Sequence, residues 1–112
     1  MEIHIKRVYE QPSEEDGKRI LIDRLWPRGL TKEKAKVDLW LKDVAPSTEL
    51  RQWFNHDVNK WPEFIKRYQK ELQKNSIVET LVEEVKKGRM TLLYGARDIE
   101  HNDAVVIRNY LK

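Results

Sequence analysis

The chain has 112 residues, with 22 Lys and Arg against 19 Asp and Glu, a formal charge of +3 and no cysteine. That length suits one domain, and the lack of cysteine excludes disulfides, thiolate metal sites and thiol nucleophiles. The dispersed positive excess argues against a nucleic-acid binder that relies on a concentrated basic stretch, and the 39% of apolar residues, gathered in clusters, argue against disorder.

The opening MEIHIKRVYE alternates polar and apolar residues instead of running a basic region into a long apolar one. It reads as neither a signal peptide nor a membrane span, and a soluble cytoplasmic protein is expected. EIHIKRVY and RILIDRL are short, Ile- and Leu-rich segments with strand character, separated by the turn-like EQPSEEDGK. The connection is too short for a crossover helix, so an antiparallel pair is expected. Pro27 and Gly29 stop the second strand, and Thr31 can cap a helical turn over KEKAK. VDLWLKDVAPS fits either a strand or a loop.

From Ser47 the pattern is helical, with Ser47 as N-cap of TELRQWFNH. A longer helix follows around residues 62–74, where Trp61, Phe64, Ile65, Tyr68 and Leu72 form an apolar stripe and Pro62 suits the first turn. Ser76 and Glu79 have the spacing of a capping box ahead of Ile77, Val78, Leu81, Val82 and Val85, and Gly88 ends that helix. MTLLYGA reads as a mostly apolar strand, and DAVVIRNYLK as a last helix with Ala104, Ile107, Tyr110 and Leu111 on one side. The expected architecture is a single α/β domain over residues 1–112, a short mixed sheet covered by helices.

Between that strand and the last helix lies GARDIEHN, in the position where open α/β sheets collect ligands. Gly95 permits a positive φ or close approach of a ligand, Arg97 offers a planar fork for phosphate or carboxylate, and Asn102 or Asp103 can cap the helix. RLWPRG likewise follows a strand and supplies Arg24 and Arg28 around Trp26. If the two strands are parallel neighbours, these turns meet in one cationic pocket floored by the indole, suited to a phosphorylated or other anionic small molecule such as a nucleotide. His101 with Asp98, and His56 with Asp57, pair an imidazole with a carboxylate as acid–base work requires. No His spacing suits a metal, and the sequence leaves the cofactor unknown. The bland readings are that the four tryptophans are packing mass and that Ser47 and Ser76 are caps.

IKRVY, DGKRILIDRLWPRGLTKEKA, LKDVAPS, ELRQWFNHD and TLLYGARDIEHNDA together resemble the short, YeaO-like branch of the family called domain of unknown function 488, from Ile3 to Leu111. The family motifs fall on Arg7, Tyr9, Asp23, Arg24, Trp26, Arg28, Trp53, His56, Tyr94, Arg97, Asp98, His101 and Asn102. The resemblance implies no assigned activity. Longer members carry a cysteine at the position of Tyr94 and a Cys-His-Arg cluster near Asn102, Asp103 and Ala104, so thiol- or metal-dependent chemistry supposed for them does not carry over. If there is a reaction, His101 or His56 would serve as acid or base, with water as nucleophile. The alternatives to an anion site are a nucleic-acid-binding module, through exposed tryptophans and helical Lys and Arg, and a protein-interaction module without catalysis.

Overall fold

The computed structural model describes residues 2–112. Four strands form one sheet: β1 (Ile3–Arg7), β2 (Lys18–Leu21), β3 (Leu39–Trp40) and β4 (Met90–Tyr94), in the order β1-β4-β2-β3. Five helices accompany them: α1 (Lys32–Ala35), α2 (Thr48–Phe54), α3 (Trp61–Gln73), α4 (Val78–Lys87) and α5 (Asp103–Leu111). The α/β class expected from the sequence holds.

The pairing differs from expectation. Every neighbouring pair is parallel, so the sheet is not mixed, and β1 and β2 do not pair with each other but flank β4. A crossover does not require a helix here. Residues 8–17 return the chain to the start of β2 in extended and 3₁₀ conformation, and an extended chain covers roughly 3.3 Å per residue, ample for strands this short. The return is anchored on one sheet face, where Val8 packs with Leu21 and Leu93, and Asp16 pairs with Lys6 and Arg19 while its carbonyl accepts the Thr91 hydroxyl at 2.6 Å.

Alternation along the strands separates the two faces. Ile3 and Ile5, Ile20 and Ile22, and Met90, Leu92 and Tyr94 enter the main core with Phe64, Tyr68 and Leu72 of α3, Leu81 and Val85 of α4, and Ala104, Val106 and Ile107 of α5. Val8, Leu21 and Leu93 face the other way, under Ala35 and the half-buried Trp26, Leu30 and Val37. Below them that second face is closed by the Lys6–Asp16–Arg19 ion cluster instead of by a helix.

Thr31 and Ser47 cap as their positions suggest, accepting from the Lys34 and Leu50 N–H groups at 3.2 and 3.1 Å. Ser76 does not. Asn75 accepts the Ile77 N–H through its side chain at 3.0 Å, the Glu79 N–H meets the Ser76 carbonyl at 3.1 Å, and α4 starts at Val78 without a side-chain cap. The Asn75 side chain also donates to the Asp43 carbonyl at 2.8 Å, so tertiary contact fixes this entry in place of the capping box.

Candidate functional site

Three strand ends meet at the carboxyl edge of the sheet. Backbone pairing continues past β2, with the Ile22 N–H on the Leu93 carbonyl at 3.2 Å, and places Asp23 beside the residue that follows β4. There the Asp23 Oδ2 accepts the Gly95 N–H at 2.8 Å. From the end of β1, Arg7 donates to the Ala96 and Gly95 carbonyls at 2.8 and 3.3 Å and fixes the same turn from its other side. Trp40 Nε1 holds the Asp23 carbonyl at 2.7 Å. Gly95 does not adopt positive φ; its small size serves close approach, since a Cβ there would stand 3.1 Å from Asp23 Oδ2.

The GARDIEHN turn is built on Asp98. Its Oδ1 accepts the Glu100 and His101 N–H groups at 2.9 and 3.0 Å, and its Oδ2 lies 2.9 Å from His101 Nδ1. These bonds, the Glu100 N–H foremost, hold the Asp98 carboxyl below the usual carboxylate range. The His101 ring meets Trp61 edge-on, with centroids 5.1 Å apart. Asn102 then caps α5, accepting the Val105 N–H at 3.1 Å and donating to the Asp98 carbonyl at 3.0 Å. Beneath the turn, Tyr94 is buried, and that burial pushes its hydroxyl pKa up.

A cavity of about 530 Å³ opens beside this edge, between the turns after β2 and β4 and the helix α2. Asp23, Arg24, Arg51, His56, His101 and Asp103 supply its charged and titratable groups, and Ala45, Pro46, Phe54, Phe64 and Ala96 an apolar wall. Ser47 determines how α2 approaches: its hydroxyl caps the helix and donates to Glu71 of α3 at 2.6 Å. One turn on, Arg51 reaches the cavity with a single side-chain hydrogen bond, to Thr48 Oγ1 at 3.3 Å, and no carboxylate partner among the described residues. Arg24 pairs with the exposed Asp43 only at 3.9 Å, and its Nε is buried without a hydrogen-bond partner.

Asp103 opens α5 with its Oδ1 accepting the Ala104 N–H at 3.0 Å, and its carboxyl stands beside that of Asp23 on the cavity wall. Burial raises both, and the charge of Asp23 drives Asp103 further, well above the usual range. Asp23 is moderated by the Gly95 N–H, by Asp103 itself and by the Arg51 charge. The two carboxyls therefore titrate as a pair, the second ionisation opposed by the first charge.

Of the residues singled out from the sequence, Arg24, His56, His101 and Asn102 line one cavity. Gly95, Tyr94 and Asp98 stand behind it as support. Arg28 and Arg97 are exposed and outside its lining. Trp26 packs on the opposite sheet face, its Nε1 on the Leu30 carbonyl at 2.7 Å, and forms no floor. His56 has positive φ and no bond to Asp57, whose carboxylate accepts the Asn59 N–H at 3.0 Å. The other indoles are also engaged: Trp53 lies under Arg67 and Lys60, and Trp61 stacks on Phe64.

Sequence reasoning did not assign Arg51 or the Asp23–Asp103 pair to the site. Asp23 carried a motif signal and Asp103 only the appearance of a cap, while nothing local marks Arg51, which reaches the cavity through the docking of α2 on α3.

These features define a small parallel α/β protein with a mixed-charge cavity at the carboxyl edge of its sheet. Residues 2–112 match the family described as the inactive DUF488-N3 subclade, DUF488-N3i, and the chain belongs to that family. It is 42% identical to the uncharacterized protein YeaO of Escherichia coli (strain K12) over 113 residues, covering 100% of this chain and 98% of that protein. It is 37% identical over 109 residues to the uncharacterized proteins Rv3073c of Mycobacterium tuberculosis (strain ATCC 25618 / H37Rv) and Mb3100c of Mycobacterium bovis, covering 97% of this chain and 92% of each relative. No solved structure matches the chain. No helix among the described residues is long and apolar enough to cross a membrane.

Proposed function

We propose that the cavity binds a small anionic molecule, such as a phosphorylated metabolite or nucleotide, through Arg24 and Arg51, without catalysing its conversion. The observation that carries this reading is the pair of under-used guanidiniums lining one space: Arg51 contacts no carboxylate, and Arg24 Nε is buried without a partner. Neither guanidinium is neutralised by a close carboxylate, and an anionic ligand in the cavity supplies charge-assisted acceptors. At about 530 Å³ the cavity falls within the roughly 300–1,000 Å³ of small-molecule sites.

The inactive designation of the family favours binding over turnover. The lining offers one hydroxyl residue, Thr48, and that oxygen accepts from Arg51. His101, oriented by Asp98, serves as a hydrogen-bonding wall of the site.

Calorimetric titration with adenosine 5′-monophosphate tests the proposal. Arg51→Met is expected to weaken binding roughly ten- to a hundredfold, the worth of a hydrogen bond to a charged group. Arg28→Met and Arg97→Met, outside the lining, should change it less than threefold. Equal effects at all three positions would mean only diffuse surface attraction, and no binding would remove the reading.

A further inference from the structure

Resting on that reading, we infer that the Asp23–Asp103 pair makes the cavity selective for anions that also carry neutral hydroxyl donors, the class of sugar phosphates and nucleotides, over bare phosphate or deoxygenated analogues. The pair lines the same cavity as Arg24 and Arg51. Each carboxyl is held from behind by a backbone N–H, Gly95 for Asp23 at 2.8 Å and Ala104 for Asp103 at 3.0 Å. A carboxylate has about four lone-pair sites, so after these bonds the pair still presents acceptors and lacks donors to fill them.

The surroundings decide which donor suits them. Arg51 of α2 acts on Asp23 with its charge, Arg24 lines the same cavity, Tyr68 of α3 is the buried neighbour, and His56 and His101 complete the titratable lining. An ammonium entering beside two guanidiniums meets like charge, whereas a hydroxyl brings donors with no charge to place. A sugar bearing a phosphate fits both halves: the anion on the arginines, the hydroxyls on the carboxyls. Asp and ribose hydroxyls make the same contact in dinucleotide-binding folds. The apolar wall of Phe54, Phe64, Ala45 and Pro46 leaves a surface for a ring.

The test compares three probes on the intact protein by calorimetry: inorganic phosphate, adenosine 5′-monophosphate and its 2′,3′-dideoxy analogue. The expected result is measurable phosphate binding and a preference of tenfold or more for the monophosphate over its dideoxy analogue, falling below threefold in Asp23→Asn and in Asp103→Asn. Phosphate and both nucleotides binding the unaltered protein with equal affinity would overturn this inference and leave the anion site standing. A preference that survives both substitutions in folded protein would also overturn it. Absence of binding by all three probes would instead remove the anion site itself. Because the comparison between probes is first made on the unaltered chain, a variant that fails to fold does not decide the matter.

Discussion

Burial, and after it the neighbouring charge of Asp23, push the Asp103 carboxyl at the start of α5 well above the usual carboxylate range. Native protein therefore holds more protons than the unfolded chain from the ordinary carboxylate range up to the raised pKa of Asp103. The pair's contribution to stability is complete below that range and is lost as pH rises through the window. Asparagine stays neutral throughout, so Asp103→Asn should melt a few degrees above the unaltered protein at pH 8 and show no such advantage at pH 4. Thermal unfolding across pH checks it, and a difference independent of pH would contradict a raised pKa at Asp103. At this scale the sequence is informative where partners are close along the chain. The Asp98–His101 pairing is visible as a spacing of three residues and is realised at 2.9 Å. Arg51 and the Asp23–Asp103 contact join residues that only the completed sheet and helix docking bring together.

Helix entries illustrate how local signals compete with tertiary ones. Ser47 and Ser76 both precede amphipathic segments, yet only Ser47 caps, because Glu71 of α3 accepts its backbone N–H at 2.8 Å and its hydroxyl at 2.6 Å and fixes it in place. At the other entry Asn75 satisfies the Ile77 N–H first. Ser47→Ala should accordingly destabilise the protein by about 1 kcal/mol, as loss of an N-cap does, while Ser76→Ala should stay within roughly 0.5 kcal/mol; chemical denaturation would reveal the contrast. Gly17, at the entry to β2, has φ 65° and no room for a Cβ against the Arg89 carbonyl. Gly17→Ala is expected to cost roughly 1–3 kcal/mol by the same measurement. The sequence marks this glycine as part of a turn but not the crossover it serves, since a short connection ordinarily signals a hairpin. The parallel topology depends on β4, far along the chain, inserting between the two strands.

For the whole molecule, the order β1-β4-β2-β3 is what produces the site: it brings the ends of β1, β2 and β4 to one edge, where Arg7 and Asp23 clasp the turn after Tyr94 from opposite sides. The class of fold is legible from strand and helix patterns, and so is the position of the cavity beyond the ends of two strands. Its charge pattern is not, because it depends on which side chains the packing of α2 and α5 turns inward. The most direct measurement is amide chemical-shift mapping of the isotope-labelled protein titrated with adenosine 5′-monophosphate. The account predicts saturable shifts concentrated at Asp23, Arg24, Arg51, Gly95, Ala96 and Asp103, with those around Trp26 and Trp53 unmoved. Shifts centred on the surface of Trp53, Lys60 and Arg67, or scattered without saturation, would contradict it.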